Sequence, residues 1–373
     1  MNFDFSDDQK FLRNEVRKFL EAHCPSARVR KILDDEGKTY DADLWAGIIK
    51  QGWLGTAIPE RFGGLGLSHL ELCVIAEELG RVAAPVPFMS TIGFLAEAVM
   101  LFGSEEQKSE LLPKIAAGDV IGALATSEGP GILSPDALQT HVRDGKISGA
   151  KVPVTDGDIA TIALVLAQED GKPGLFLVDL GGAGVTRTPL QSLDPTRDAA
   201  KLVFTQAPAR RLGLAGEGFE ILAQILDRAA VLLAFEQCGG ADRCLEMAKD
   251  YALARYAFGR LIGSYQAIKH KLADIYVKNT LARSHAYYGA WALNTNAPEL
   301  PVAASAARIA GSEAFWFASK ENIQTHGGIG FTWEMDCHLY YRRAQQLGLV
   351  AGAPKIWKER LVNQLERRNA AFA

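Results

Sequence analysis

Two short stretches carry side chains suited to gripping a phosphate-bearing ligand. The run Gln324-Thr325-His326-Gly327-Gly328-Ile329-Gly330-Phe331-Thr332-Trp333-Glu334 directly follows a long helical pattern. Its three glycines let a backbone approach a ligand closely, although a plain helix–helix turn has the same composition. The second stretch, Arg255-Tyr256-Ala257-Phe258-Gly259-Arg260-Leu261-Ile262-Gly263, closes an earlier helical run and is followed by Gln266-Ala267 and Leu272-Ala273-Asp274. An arginine beside an aromatic and a glycine suits a pyrophosphate, because the guanidinium fork matches phosphate oxygens. A solvated cationic helix end reads the same way.

Other chemistry is excluded by pattern. No G-x-x-x-x-G-K-[ST], and no G-x-G-x-x-G between a strand and a helix, occurs. H-E-x-x-H and G-x-S-x-G are also missing, and the seven histidines lack ligand spacing, so no metal is expected. Forty basic against forty-four acidic residues give a net charge of −4, which argues against a nucleic-acid grip. Five scattered cysteines without a C-x-x-C pair fit a reducing compartment. The start carries acidic Asp4, Asp7 and Asp8, with no basic stretch leading into an apolar run, so no signal peptide is expected. No stretch approaches the roughly 20 apolar residues of a membrane span. A cytoplasmic location is expected.

The elements that must position these stretches fall into three regimes. Residues 1–118 read as an N-terminal helical domain. It opens with Ser6 capping a periodic segment through Phe11, Leu12, Val16, Phe19 and Leu20. Leu44–Trp53, Leu70–Arg81, Thr91–Phe102 and Glu105–Ala117 continue the helical period, with a glycine-rich loop over Pro59–Leu67. Residues 119–212 read as a middle β-barrel-like domain. Ile162–Ala167, Leu175–Leu180, Val203–Phe204 and the alternating Val152 and Val154 supply strands between glycine turns. Residues 213–373 read as a C-terminal four-helix bundle. A run over Glu217–Tyr256, on the order of 60 Å long, is expected to break near Gly239–Gly240. Gln266–Trp291, Pro301–Thr325 and Asp336–Gly348 follow it. The fold class is thus α+β, multi-domain.

Together these residues resemble the acyl-CoA dehydrogenase family. Its members carry R-x-x-F-G with a downstream Q-A, then Q-x-x-G-G-x-G, in this order and at about this separation. The resemblance spans the α–β–α layout and extends to Ile58–Gly66, which is similar to the family's N-terminal loop. It implies FAD as cofactor and a specific flavin site. Ala125-Thr126-Ser127-Glu128 stands where a segment lies along the flavin, and Ser134 is the nearest match to a serine that reaches the pyrophosphate. Pro153-Val154-Thr155 replaces an aromatic, β-branched, threonine run; Thr155 keeps the hydroxyl, while Pro153 loses ring stacking and a strand donor. Arg255, Phe258, Gln266, Gln324, Gly327 and Gly328 would serve the FAD of a neighbouring subunit, which makes oligomerisation a condition of cofactor binding.

The reaction the resemblance implies removes the α-proton of an acyl-CoA thioester and passes the β-hydrogen as hydride to flavin N5. Electrons then go to an electron-transfer flavoprotein. A desolvated carboxylate must face the α-carbon. In most relatives it lies eight residues after an arginine that matches Arg343, which is Ala351 here. In a minority it lies twenty-six residues before the Arg255 equivalent, which is Ala229. Neither is a carboxylate. Glu236, two helical turns beyond Ala229 and directly after the apolar run Ala229–Phe235, is the substitute candidate; Asp227 is a second. A buried ion pair is the other reading of Glu236. Alternatively the chain is a base-lacking subunit in a hetero-oligomer with a related chain, α2β2 in place of a homotetramer. Gly328–Ala344 looks more like branches that handle bulky steroid-derived or ring-bearing thioesters. A flavin oxidase or monooxygenase on the same scaffold is the remaining alternative.

Overall fold

The computed structural model describes residues 5–35, 37–131 and 133–370. Asp4, part of the acidic start, lies outside them. The helices are α1 (Asp7–His23), α2 (Ser26–Leu33), α3 (Ala42–Lys50), α4 (His69–Arg81), α5 (Glu97–Phe102), α6 (Glu105–Ala116), α7 (Gly218–Ala254), α8 (Gln266–Asn294), α9 (Leu300–His326), α10 (Cys337–Leu349) and α11 (Pro354–Ala370). Strands β1 (Gly122–Ala125), β2 (His141–Arg143), β3 (Lys146–Thr155), β4 (Ile162–Glu169), β5 (Lys172–Asp179), β6 (Val185–Leu190), β7 (Ala199–Pro208) and β8 (Arg210–Leu212) lie between α6 and α7. A two-strand hairpin, β9 (Tyr256–Ala257) and β10 (Arg260–Leu261), separates α7 from α8. The architecture is therefore helical, then sheet, then helical. No described helix is long and apolar enough to cross a membrane.

The chain forms two compact units, with the division inside α7. One comprises Lys31–Ser68 and Pro85–Ala229. Its sheet runs β6-β7-β3-β2-β4-β5-β8, and β1 pairs in parallel with the start of β4. Because β6 and β8 end the order, the sheet is open and barrel-like only in a loose sense. Apolar β4 and β5 form its buried centre, from Ala163 to Ala167 and from Leu175 to Val178. The expected helix over Thr91–Phe102 begins as wider π-type turns, Met89–Ala96, before α5. Thr91 Oγ1 accepts from Gly122 N at 3.1 Å and so ties these turns to β1.

The other unit comprises Met1–Arg30, His69–Ala84 and Ala230–Ala373. Helix α1 starts as the capping signal predicts: Ser6 and Gln9 exchange side-chain-to-backbone hydrogen bonds. The expected break at Gly239–Gly240 does not occur, and α7 is continuous for 37 residues. Both glycines serve packing. A Cβ on Gly239 would land on the Glu77 carbonyl of α4, and one on Gly240 would enter the Phe315 ring of α9. Glycine here permits close helix approach, which outweighs its helix-propensity cost of about 1 kcal/mol. Helix α11 has no counterpart among the expected elements. Only Trp357 of its described side chains is buried, so its apolar stripe is too thin to register.

Candidate active-site elements

In the sheet-bearing unit, the segment after β1 runs beside β3. Val152 N donates to Ser127 O at 2.8 Å, and Glu128 bridges Val152 in parallel. Ala125 is buried, whereas Ser127 and Thr155 are half-buried, and Ser127 Oγ sits 3.4 Å from Gly129 N as its acceptor. Pro153 falls within the register irregularity between Lys151 and Val154, where β3 needs no donor from it. Val154 was expected to contact the cofactor, but its side chain is sealed in the sheet interior. Ser134 is half-buried just before a 3-10 turn that starts at Pro135.

Sequence reasoning missed the group that ties this segment together. Lys151 points inward from β3, fully buried, and donates to Thr126 O at 3.2 Å and to Glu128 Oε1 at 2.8 Å. Glu128 also accepts from Gln139 N and Thr140 N at 2.7 and 2.9 Å. Burial pushes the Lys151 ammonium down to about 8 despite Glu128. Burial works to raise Glu128, but hydrogen bonds from Lys151, Thr140 and Gln139 hold it at about 2. The available signal was a lysine at an inward position of the strand, in register with Ile147. Asp227 is buried on α7 beside Arg228, whose Nε lies 2.6 Å from Glu97 Oε2. Ala229 is fully buried.

In the helical unit, the Arg255 stretch is a tight hairpin. Phe258 and Gly259 are its two turn residues, with φ of 52° and 77°, the left-handed pair that a two-residue loop demands. Ile262 N to Arg255 O at 2.8 Å, and Tyr265 OH to Ala257 O at 3.0 Å, brace it. The outcome is unusual for a phenylalanine: a left-handed backbone and 98% exposure. Arg255 and Gln266 are exposed beside it. Gln324, Gly327 and Gly328 are also exposed, at the end of α9, and nothing lies within 4 Å of a Cβ built on either glycine. His326, buried beneath this loop, stacks on Tyr251 with centroids 4.2 Å apart.

Glu236 does not stand alone in its apolar run. Arg343 Nη1 lies 3.6 Å from Glu236 Oε1, and both side chains are nearly sealed from solvent. The same guanidinium donates to the carbonyls of Ala84 and Ala83 at 3.1 and 3.2 Å. The ion-pair reading of Glu236 is the one this geometry favours, since a buried cation this close stabilises the charged carboxylate. Buried Arg308 donates to Leu347 O and, at 2.6 Å, to Val350 O. Burial pushes Arg308 down to about 10, partly offset by Glu236. Trp357 Nε1 donates to Ala351 O at 3.1 Å. Ala351 thus sits in a clamped turn with φ of 63°.

The chain is similar to known proteins along nearly its whole length. The model of the acyl-CoA dehydrogenase N-terminal domain matches residues 6–119, and that of the C-terminal domain matches residues 216–365. Acyl-CoA dehydrogenase IpdE2 of Mycobacterium tuberculosis is 35% identical over 96% of this chain and 98% of its own. Among solved structures, a variant of the Tcur3481-Tcur3483 steroid ACAD is 29% identical with a TM-score of 0.88, covering 98% of this chain and 99% of its own. The ChsE4-ChsE5 complex from Mycobacterium tuberculosis is 26% identical with a TM-score of 0.89, at 98% and 99% coverage.

Proposed function

The chain belongs to the acyl-CoA dehydrogenase family, and from that premise we propose that it is the base-lacking subunit of an FAD-dependent, mixed-chain acyl-CoA dehydrogenase. One observation carries the reading. The turn that the family resemblance matches to the carboxylate position is clamped by Arg308 and Trp357 and carries alanine at position 351. The minority position, Ala229, is also empty of charge, and Glu236 is engaged by Arg343. A related chain would supply the base.

The residues present fit a flavin dinucleotide. Gly129 and Gly131 of the sheet-bearing unit and, separately, Gly327 and Gly328 of the helical unit leave open backbone, with nothing within 4 Å of an added Cβ. Arg255, Gln266 and Gln324 offer exposed donors for phosphate and ribose oxygens. Ser127 and Thr155 offer hydroxyls at the segment beside β3. FAD, when bound, accepts the hydride removed from the acyl chain. This chain's Ala125–Ser127 and Thr155 would orient the ring, with Ser134 toward the pyrophosphate. Arg255, Phe258, Gln266, Gln324, Gly327 and Gly328 would reach the cofactor of a neighbouring subunit. The exposed, strained Phe258 supports a role outside its own chain.

The relatives include a steroid enzyme and a two-chain complex by name, which supports a bulky, ring-bearing CoA thioester and a hetero-oligomer. An electron-transfer flavoprotein is the proposed acceptor, and five free cysteines support a cytoplasmic setting. The test is anaerobic bleaching of the purified yellow chain by steroid-derived and straight-chain acyl-CoAs. The expected result is no bleaching alone and bleaching after addition of a base-bearing related chain. Full bleaching by the chain alone overturns the subunit assignment.

A further inference from the structure

Lys151 is a buried charged group in the sheet-bearing unit that touches a proposed cofactor segment and has so far been assigned no task. Its ammonium is removed from solvent, and burying such a charge is costly even with a carboxylate opposite. An apolar side chain of the same length would fill the space at lower cost. What the lysine adds is direction. Its hydrogen bond draws the Thr126 carbonyl inward. Because a trans peptide points its C=O and N–H to opposite sides, the Ser127 N–H is turned outward. Glu128 completes the lock: it accepts from Lys151 and from Gln139 N and Thr140 N. The segment before β2 is thereby tied to the same point.

We propose that Lys151 is a positioning residue for the flavin: it fixes the Thr126–Ser127 peptide so that Ser127 N–H is presented to an acceptor atom of the isoalloxazine ring. The inference rests on the FAD reading given above. Lys151 touches no substrate; it acts through Ser127. A flavin ring bound without that donor loses affinity and has an altered electronic environment, so its spectrum reports the loss directly.

The test compares wild type, Lys151→Met and Lys151→Arg, each assembled with whatever related chain the wild type requires. FAD affinity is measured by titrating the deflavinated protein, and the two visible absorption bands are recorded at saturating FAD. Lys151→Met is expected to weaken FAD binding about tenfold or more, the usual scale for removing a supporting hydrogen-bond shell, and to displace the bands. Lys151→Arg, which retains charge and donors, is expected to recover most of both. If Lys151→Met does not fold, Lys151→Gln takes its place, with the same expected losses. A yellow wild type beside a methionine or glutamine variant of unchanged affinity and bands overturns the assignment alone. A wild type that takes up no FAD overturns the flavin reading and this assignment with it.

Discussion

Arg343 and Glu236 meet in the interior of the helical unit at 3.6 Å, and the arginine simultaneously holds the carbonyls of Ala83 and Ala84 after α4. The carboxylate therefore balances a charge that anchors α10. Glu236→Gln is expected to destabilise the protein by about 3 kcal/mol, since it leaves a buried guanidinium without its counter-charge. Thermal or urea unfolding measures this. At a temperature where the variant stays folded, flavin bleaching in the mixed complex should persist. A variant of unchanged stability that no longer bleaches would return Glu236 to the chemistry.

The close contact of α7 with α4 and α9 makes a second, graded expectation. Gly239→Ala sets a methyl group against the Glu77 carbonyl, which cannot rotate away. It should cost about 3 kcal/mol, the upper end of overpacking penalties. Gly240→Ala is met first by the Phe315 ring, a side chain and not backbone, and should cost about 1 kcal/mol once the gain in helix propensity is counted. Urea midpoints in the reverse order would contradict this packing.

These glycines also mark where the sequence stops being legible. Local signals read correctly: the Ser6–Gln9 cap, the apolar β4 and β5, and the order of helical and sheet regimes. Gly239–Gly240 misled because a helix break and a helix contact use the same residue, and only the opposing chain segment distinguishes them. Helix α11 was silent because it buries little. At the candidate site, exposed Arg255, Phe258 and Gln324 were legible as a motif. Lys151 was not, because its partners Thr126 and Glu128 lie 25 and 23 residues away and meet it only through sheet pairing. The burial of Val154 was equally hidden, because the register irregularity between Lys151 and Val154 breaks the strand alternation and turns its side chain inward.

Acid should loosen the loop that follows α9. Burial holds the His326 pKa below its ordinary value, opposed in part by its hydrogen bond to Asn322 O at 2.9 Å. The unfolded chain therefore binds this proton more readily than the folded one, so stability rises with pH up to about 6.5 and is lost as pH falls through the lower folded value. His326→Gln should flatten the part of the stability profile that lies below about pH 6.5. Wild-type and variant profiles of equal slope would show that His326 contributes nothing to it.

The clamped turn at Ala351 makes the sharpest prediction about chemistry. Its backbone already adopts φ of 63°, held by Arg308 at Val350 O and by Trp357 at Ala351 O, so a longer side chain at 351 need not rebuild the turn. Ala351→Glu should give the isolated flavin-loaded chain a carboxylate at the position proposed to be empty. Anaerobic bleaching by a suitable acyl-CoA should accelerate about 100-fold or more over wild type, the lower range for a positioned general base. Ala351→Gln, equal in size and without basicity, should remain unbleached, which separates proton abstraction from a change in shape. The gain should also depend on the clamp. Arg308→Met in the Ala351→Glu background removes the donor to Val350 O and should cancel most of the acceleration while FAD stays bound. A yellow Ala351→Glu chain that no acyl-CoA bleaches, straight or ring-bearing, would mean that this turn does not face the α-carbon, and the argument for a base-lacking subunit would lose its foundation.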